Sequence, residues 1–212
     1  MDSFDQRAFL RIAAAATVLA TAIVYANTLS NEFVWDDASS ILLHEHVQDP
    51  AKIIQLFRED QHAFGRGQGA FYRPLVSLSF MIDFAITTSI APVGQGVSLQ
   101  DGLSPVIFHI TNAAWHALAG VLLLCLMLRF QAPRVVAVAT TLIWVVHPLH
   151  TEAITYISGR ADPMAATFIF AALLFACSEK RSVVSAVIAS AVCFTAGLLS
   201  KESAMLFPAL LF

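Results

Sequence analysis

The sequence predicts an all-α integral membrane protein, a multi-span helical bundle whose long first loop is extracytoplasmic and carries interfacial helices. Three observations predict it. Hydrophobic residues make up 58% of the 212 positions and charged residues only 13%, too oily a composition for a soluble domain of this length. The apolar residues gather into runs suited to crossing hydrocarbon. Ionisable clusters sit at the ends of those runs, all on one predicted side, where a charge near lipid needs a use to persist. The formal charge of −3, with no Lys/Arg stripe, excludes a nucleic-acid binder. Cys125, Cys177 and Cys193 lie inside apolar runs and read as small core residues rather than a disulfide frame or metal site.

The first run, 8–26, follows Arg7 and Arg11 and is long enough to cross about 30 Å of hydrocarbon. Val24 and Ala26 offer a small-residue cleavage pattern, but Asp2 and Asp5 weaken the positive start that a secretory signal needs, so a retained anchor is expected. Either way, Asn27 onward emerges outside. Further spans are expected at 106–128, 133–147, 163–177, 183–199 and 204–212, the last incomplete. With that map Arg7, Arg11, Arg129, Arg134, Lys180 and Arg181 share one side, which the positive-inside rule makes cytoplasmic. All acids except Asp2, Asp5 and Glu179 fall on the opposite side.

Within the outer loop, 27–105, Asp49 is expected to cap a surface helix with Pro50 in its first position and Ile53, Ile54, Leu56 and Phe57 as its apolar stripe. The run 75–90 is apolar enough to be mistaken for a span, with Asp83 at its middle. If it crossed, the basic loops would move outside and Asp36 would be parted from Arg160 by the bilayer, so it is expected to lie in the interface, with Pro74 in its first turn. Gly65, Gly67 and Gly69 around Arg66 read as a flexible loop, and Pro92, Gly94 and Gly96 mark another. The run 133–147 covers roughly 22 Å before Pro148 breaks it, which places His147 and His150 in an outward recess. Asp162 is expected to cap the following helix, with Arg160 just outside its positive end.

Five clusters carry the candidate chemistry: VWDD, FYRPL, HITNAAWH, HPLHTEAITYISGRAD and LSKE. A carboxylate at Asp36 or Asp37 suits a general base acting on an acceptor hydroxyl; the plainer role is capping the stretch after Asp37. Arg73 and Arg160 match phosphate oxygens through their guanidinium forks, and Lys201 adds a point charge. Headgroup snorkelling is the plainer role for Arg73 and Lys201, and pairing with Asp162 or Glu152 for Arg160. His109, Asn112 and His116 share one helix face; Asn112 and His116 read as packing groups and His109 as a substrate contact. His147, His150 and Glu152 are ligand types, but no metal-site spacing frames them, so no metal is expected. His44 and His46 read as solvated loop residues.

The order VWDD, YRPL, FHITNAAWH, HPLHTEAITYISGRAD, LLSKESAMLFP resembles the transmembrane and tetratricopeptide-repeat O-mannosyltransferases and their bacterial relatives, within the GT-C glycosyltransferase superfamily. The resemblance covers nearly the whole chain. It implies a GT-C-like membrane domain, of which this is the N-terminal portion, followed in the family by more spans and tetratricopeptide repeats. It also implies an inverting, metal-independent enzyme that moves a sugar, mannose in the animal members, from a polyprenyl-phosphate or dolichyl-phosphate carrier to Ser/Thr of extracytoplasmic proteins. The membrane would be the bacterial inner membrane, or the endoplasmic reticulum in a eukaryote. Asp36 or Asp37 takes the place of the family's loop aspartate, and Arg73, His109, His147, His150, Glu152, Arg160, Asp162, Lys201 and Glu202 are the donor-phosphate and substrate candidates. The alternatives are a non-catalytic anchor or scaffold, or an inactive remnant. A transporter fits less well, since the charges cluster at one face and no inverted repeat of broken helices is seen.

Overall fold

A computed structural model describes residues 3–64, 71–179 and 181–210, and among them there are helices and no strand. The helices in chain order are α1 (Ser3–Val24), α2 (Pro74–Ile90), α3 (Leu99–Gly102), α4 (Val106–Arg129), α5 (Arg134–Val146), α6 (Thr151–Thr155), α7 (Ala161–Ala176) and α8 (Val183–Leu198). Three segments are long and apolar enough to cross a membrane: Asp5–Val24, Val106–Arg129 and Ile157–Ala176. A fourth arises if α5 and Pro148–Thr155, bent by 45° where Pro148 interrupts the helix, act as one broken span. The α8 helix has 16 residues, roughly 24 Å of rise. Of the run expected at 204–212, residues up to Leu210 form a 3-10 helix, Glu202–Leu210, with Pro208 inside it.

The centre of the bundle is α4, which packs against α1, α5 and α7, while α8 folds back along α7. Close approach around α4 depends on Gly120. A Cβ there would lie 2.5 Å from Val145 Cγ1 and 2.9 Å from Thr17 Cγ2, so α1 and α5 use the space a side chain would fill. The hydroxyls of Thr17 and Thr21 return to carbonyls of their own helix, and Ser190 of α8 donates to the Ala172 carbonyl of α7 at 3.0 Å.

The largest buried cluster lies at one end. Phe33, Ile41, Val47 and Leu56 of the long loop cover Val76 and Phe80 of α2, Phe108 of α4 and Met164 of α7. The α2 helix begins beside the end of α8, where Leu75 N–H donates to the Leu199 carbonyl, and continues over the starts of α4 and α7. Its Asp83 is 2% exposed. Pro74 occupies its first turn as expected.

The loop differs from expectation at two places. Asp49 does cap, its Oδ1 accepting from Ala51 N–H at 2.9 Å, but Pro50–Lys52 and Gln55–Phe57 are separate 3-10 turns rather than one amphipathic helix. Ile53, Ile54 and Phe57 stay exposed and Leu56 alone is buried, too little apolar cover to extend a helix over the intervening residues. His44 is not a solvated loop residue: it is fully buried, its Nε2 lying 3.7 Å from Glu59, while His46 Nδ1 and Glu59 are 2.7 Å apart. Gly65, Gly67, Gly69 and Arg66 fall outside the described residues.

Candidate active site

Beside that buried cluster a cavity of about 530 Å³ opens between the long loop, the α5–α7 connection and the start of α2. Its wall includes Asp36, Arg73, His150, Glu152, Tyr156 and Asp162, with Phe71 and Trp144 as aromatic faces. Residues far apart in sequence meet here for identifiable reasons.

The VWDD turn separates its two acids. Trp35 adopts φ 49°, a left-handed conformation that costs a bulky residue about 1–3 kcal/mol. The turn is held by Tyr156, whose hydroxyl accepts from Asp36 N–H at 3.1 Å and whose ring meets Trp35 edge-on at 5.7 Å. Asp36 is thereby exposed on the cavity wall. Asp37 is turned inward and fully buried, and its Oδ1 accepts from Ser158 N–H at 2.9 Å and Ser158 Oγ at 2.6 Å, while Oδ2 accepts from Val34 N–H at 3.0 Å. Asp37 is therefore a joint between the loop and the α6–α7 connection, absent from the cavity wall, and its side chain does not cap the turn after it. Burial pushes its carboxyl above the usual aspartate range, and the Ser158 and Val34 donors pull it partly back. Tyr156 is pushed up to about 12, first by burial and then by the charge of Asp37, so it remains a neutral phenol.

Arg160 is corrected most. It is fully buried and points away from the cavity: Nη1 lies 2.6 Å from Asp83 and donates to Ser79 Oγ at 2.7 Å, Nε donates to Asn112 Oδ1 at 2.6 Å, and Nη2 donates to the Phe108 carbonyl at 2.9 Å. The Phe80 ring centroid sits 4.5 Å from its Cζ. With every nitrogen engaged and the side chain fully buried off the cavity wall, the guanidinium is not presented to a lipid phosphate, and its carboxylate partner is Asp83 of α2 rather than Asp162 or Glu152. Asn112 completes the network, its Nδ2 donating to the carbonyls of Ile154, Tyr156 and Ile157. One buried amide on α4 thus holds the connection that carries Glu152 and Tyr156.

Asp162 does not cap its helix. The α7 helix starts at Ala161, with Asp162 in the first turn and its carboxylate 2.6 Å from Lys201 Nζ. Arg73 is matched by Glu202, with Nη2 to the two carboxylate oxygens at 2.8 and 3.0 Å. The Arg73 hydrogen bond holds the Glu202 carboxyl below its usual range. Lys201 and Glu202 therefore stand behind Asp162 and Arg73 rather than on the cavity wall. Of the histidines, His150 and His116 both reach the wall, each with its ring 4.7 Å from that of Trp144, and His116 Nε2 meets the Val145 carbonyl at 3.0 Å; His62 lines it from the long loop. His147 is exposed outside the wall, its Nδ1 accepting from Leu149 N–H. His109 is buried and also outside it. Among the described residues no group of three His, Cys, Asp or Glu side chains is placed to hold a metal ion.

Tyr156, Trp144, Gln61, His62 and Ser158 were not singled out from sequence, although all line the cavity. Tyr156 had a signal, standing within the quoted string between Glu152 and Arg160. Gln61 and His62 had none, because only folding of the loop brings them across.

Comparison with known proteins bears on what this cavity is. The human protein O-mannosyl-transferase TMTC1 is 32% identical over 168 residues, covering 76% of this chain and 17% of that protein. Mouse TMTC3 is 30% identical over 160 residues, covering 74% and 16%. The fruit-fly Tmtc1 is 29% identical over 143 residues, covering 66% and 15%. The chain is a TMTC-like sequence. As such it corresponds to the N-terminal portion of the family and spans about one sixth of the length of the curated relatives it matches. No protein-family model and no solved structure matches this TMTC-like chain.

Proposed function

We propose that the protein containing this chain is a protein O-mannosyltransferase that takes its sugar from a polyprenyl-phosphate donor, inverts the anomeric carbon, and works at the extracytoplasmic face of a multi-pass membrane domain. The observation that carries this reading is the meeting of Asp36, Arg73, His150 and Glu152 on one cavity wall, in a chain whose relatives are named protein O-mannosyl-transferases. The paired charges Arg73–Glu202 and Lys201–Asp162 occupy the same end of the bundle, and Arg129–Glu179 and Arg134–Asp5 the other, which suits a site that opens to one compartment.

Asp36 takes the proton from an acceptor Ser or Thr hydroxyl as its oxygen bonds to the anomeric carbon. The bond from that carbon to the phosphate oxygen breaks on the opposite face, and polyprenyl phosphate leaves. Arg73 steadies the charge gathering on that phosphate, needing a rotation away from Glu202, which is exposed and gives it up at little cost. Tyr156 holds Asp36 by its backbone, and Phe71 and Trp144 offer flat faces to the sugar.

The test uses membranes holding the full-length protein and labelled polyprenyl-phosphate mannose. Asp36→Asn is expected to lower transfer to a peptide by roughly 10²–10⁴-fold, while Arg73→Gln weakens donor binding. Transfer by Asp36→Asn at the parent rate ends the base assignment and favours a non-catalytic anchor.

A further inference from the structure

At the opposite end of the bundle a second cavity of about 570 Å³ lies between the start of α1, the close of α4, the start of α5 and the end of α7. Leu10, Leu128 and Leu174 give it an apolar wall, and two arginines edge it. Arg129 closes α4; its Nε donates to the Cys177 carbonyl at 2.7 Å and its Nη2 lies 3.1 Å from Glu179. Arg134 opens α5, its Cζ 4.5 Å from the Phe9 ring centroid, and the nearest carboxylate described is Asp5, 3.5 Å from Nη1. Arg134 Nη2 is buried, and no described group accepts its hydrogen bonds. A permanent cation with a buried donor unmet is costly to maintain unless an acceptor arrives from elsewhere.

We propose that this cavity seats one anionic phospholipid, its phosphodiester on Arg134 and Arg129 and its acyl chains along Leu10, Leu128 and Leu174. The planar guanidinium fork suits a phosphodiester. Charge complementarity supports the occupant: Arg7, Arg11 and Arg181 belong to the same end, against the carboxylates of Asp5 and Glu179. Those two are 58% and 86% exposed, so each can turn to water when a phosphate takes its place. The position supports it as well. Arg129 ends a 24-residue helix, the depth at which headgroups meet hydrocarbon. A cavity charged at its rim and apolar along its wall fits an amphiphile better than a free anion.

The experiment places the full-length protein in phosphatidylcholine nanodiscs, adds phosphatidylglycerol, and reads retained lipid by native mass spectrometry together with the unfolding temperature. Phosphatidylglycerol is expected to be retained in preference to phosphatidylcholine and to raise the unfolding temperature. Arg134→Gln lowers that retention by about fivefold. Asp5→Asn removes the competing carboxylate at an exposed position, leaves folding intact, and raises retention. Equal retention of the two lipids overturns the proposal, as does phosphatidylglycerol retention unchanged in Asp5→Asn. An equal thermal shift from inorganic phosphate alone overturns it too, showing a free-anion site instead.

Discussion

Asp37 and Ser158, 121 positions apart, share two hydrogen bonds, the serine backbone N–H and hydroxyl both donating to one buried carboxylate oxygen. This joint ties the loop after α1 to the segment before α7, and it divides an apparently equivalent acidic pair into an exposed member on the cavity wall and a structural one beneath it.

Asp37→Ala leaves the two buried Ser158 donors without an acceptor, and the half-buried Val34 N–H with them, and is expected to cost about 2–4 kcal/mol of stability. Unfolding in mild detergent, monitored by circular dichroism, measures it; Asp36→Ala in the same assay should stay within about 0.5 kcal/mol of the parent, since its side chain faces the cavity. Equal losses at the two positions would refute the division.

His44 supplies a pH dependence. Burial, then repulsion from His46, lowers it from 6.5 to about 4. A base whose folded pKa is depressed contributes stability that is complete above 6.5 and lost as pH falls toward 4, because the unfolded chain binds the proton more readily. The loss amounts to roughly 3 kcal/mol across that window. Replacing the ring by an apolar side chain, His44→Leu, should flatten the stability profile between pH 7 and 4; an unchanged slope would assign the effect elsewhere.

Arg160 and Asp83 behave as one unit, buried together at 2.6 Å. Removing either partner, in Arg160→Met or Asp83→Leu, strands a charge and is expected to cost about 3–5 kcal/mol. The double substitution should cost clearly less than the two single losses added together, and a double-mutant cycle in detergent reads the coupling. Additive losses would show that the pair does not interact.

Gly159 is the backbone requirement of the GRAD string. A Cβ there would meet Ala153 O at 2.9 Å, Ala153 Cα at 3.0 Å and Glu152 O at 3.0 Å, all backbone atoms that cannot rotate aside. Gly159→Ala is therefore expected to displace the turn carrying Glu152 and Tyr156, lowering transfer at least tenfold while the far end of the bundle is unaffected. Hydrogen exchange should locate the disturbance at 150–160; protection unchanged there would count against it.

The sequence by itself determined the class of protein, because hydrophobic composition and apolar runs are local quantities that survive without knowledge of any contact. It likewise marked Asp49 as a cap, Pro74 as a helix start and Pro148 as a break, each an effect of a residue on its own backbone. Which carboxylate faces the cavity, which arginine lines it, and which histidine is buried were decided only by tertiary structure. Asp36 and Asp37 are neighbours with the same chemistry, and a left-handed turn at Trp35 held by Tyr156 tells them apart. Arg73 and Arg160 carry the same fork, yet Asp83, Ser79, Asn112 and the Phe108 carbonyl close around only one of them. Such partners come from two other helices, α2 and α4, and the desolvation that makes them matter exists only once those helices are packed.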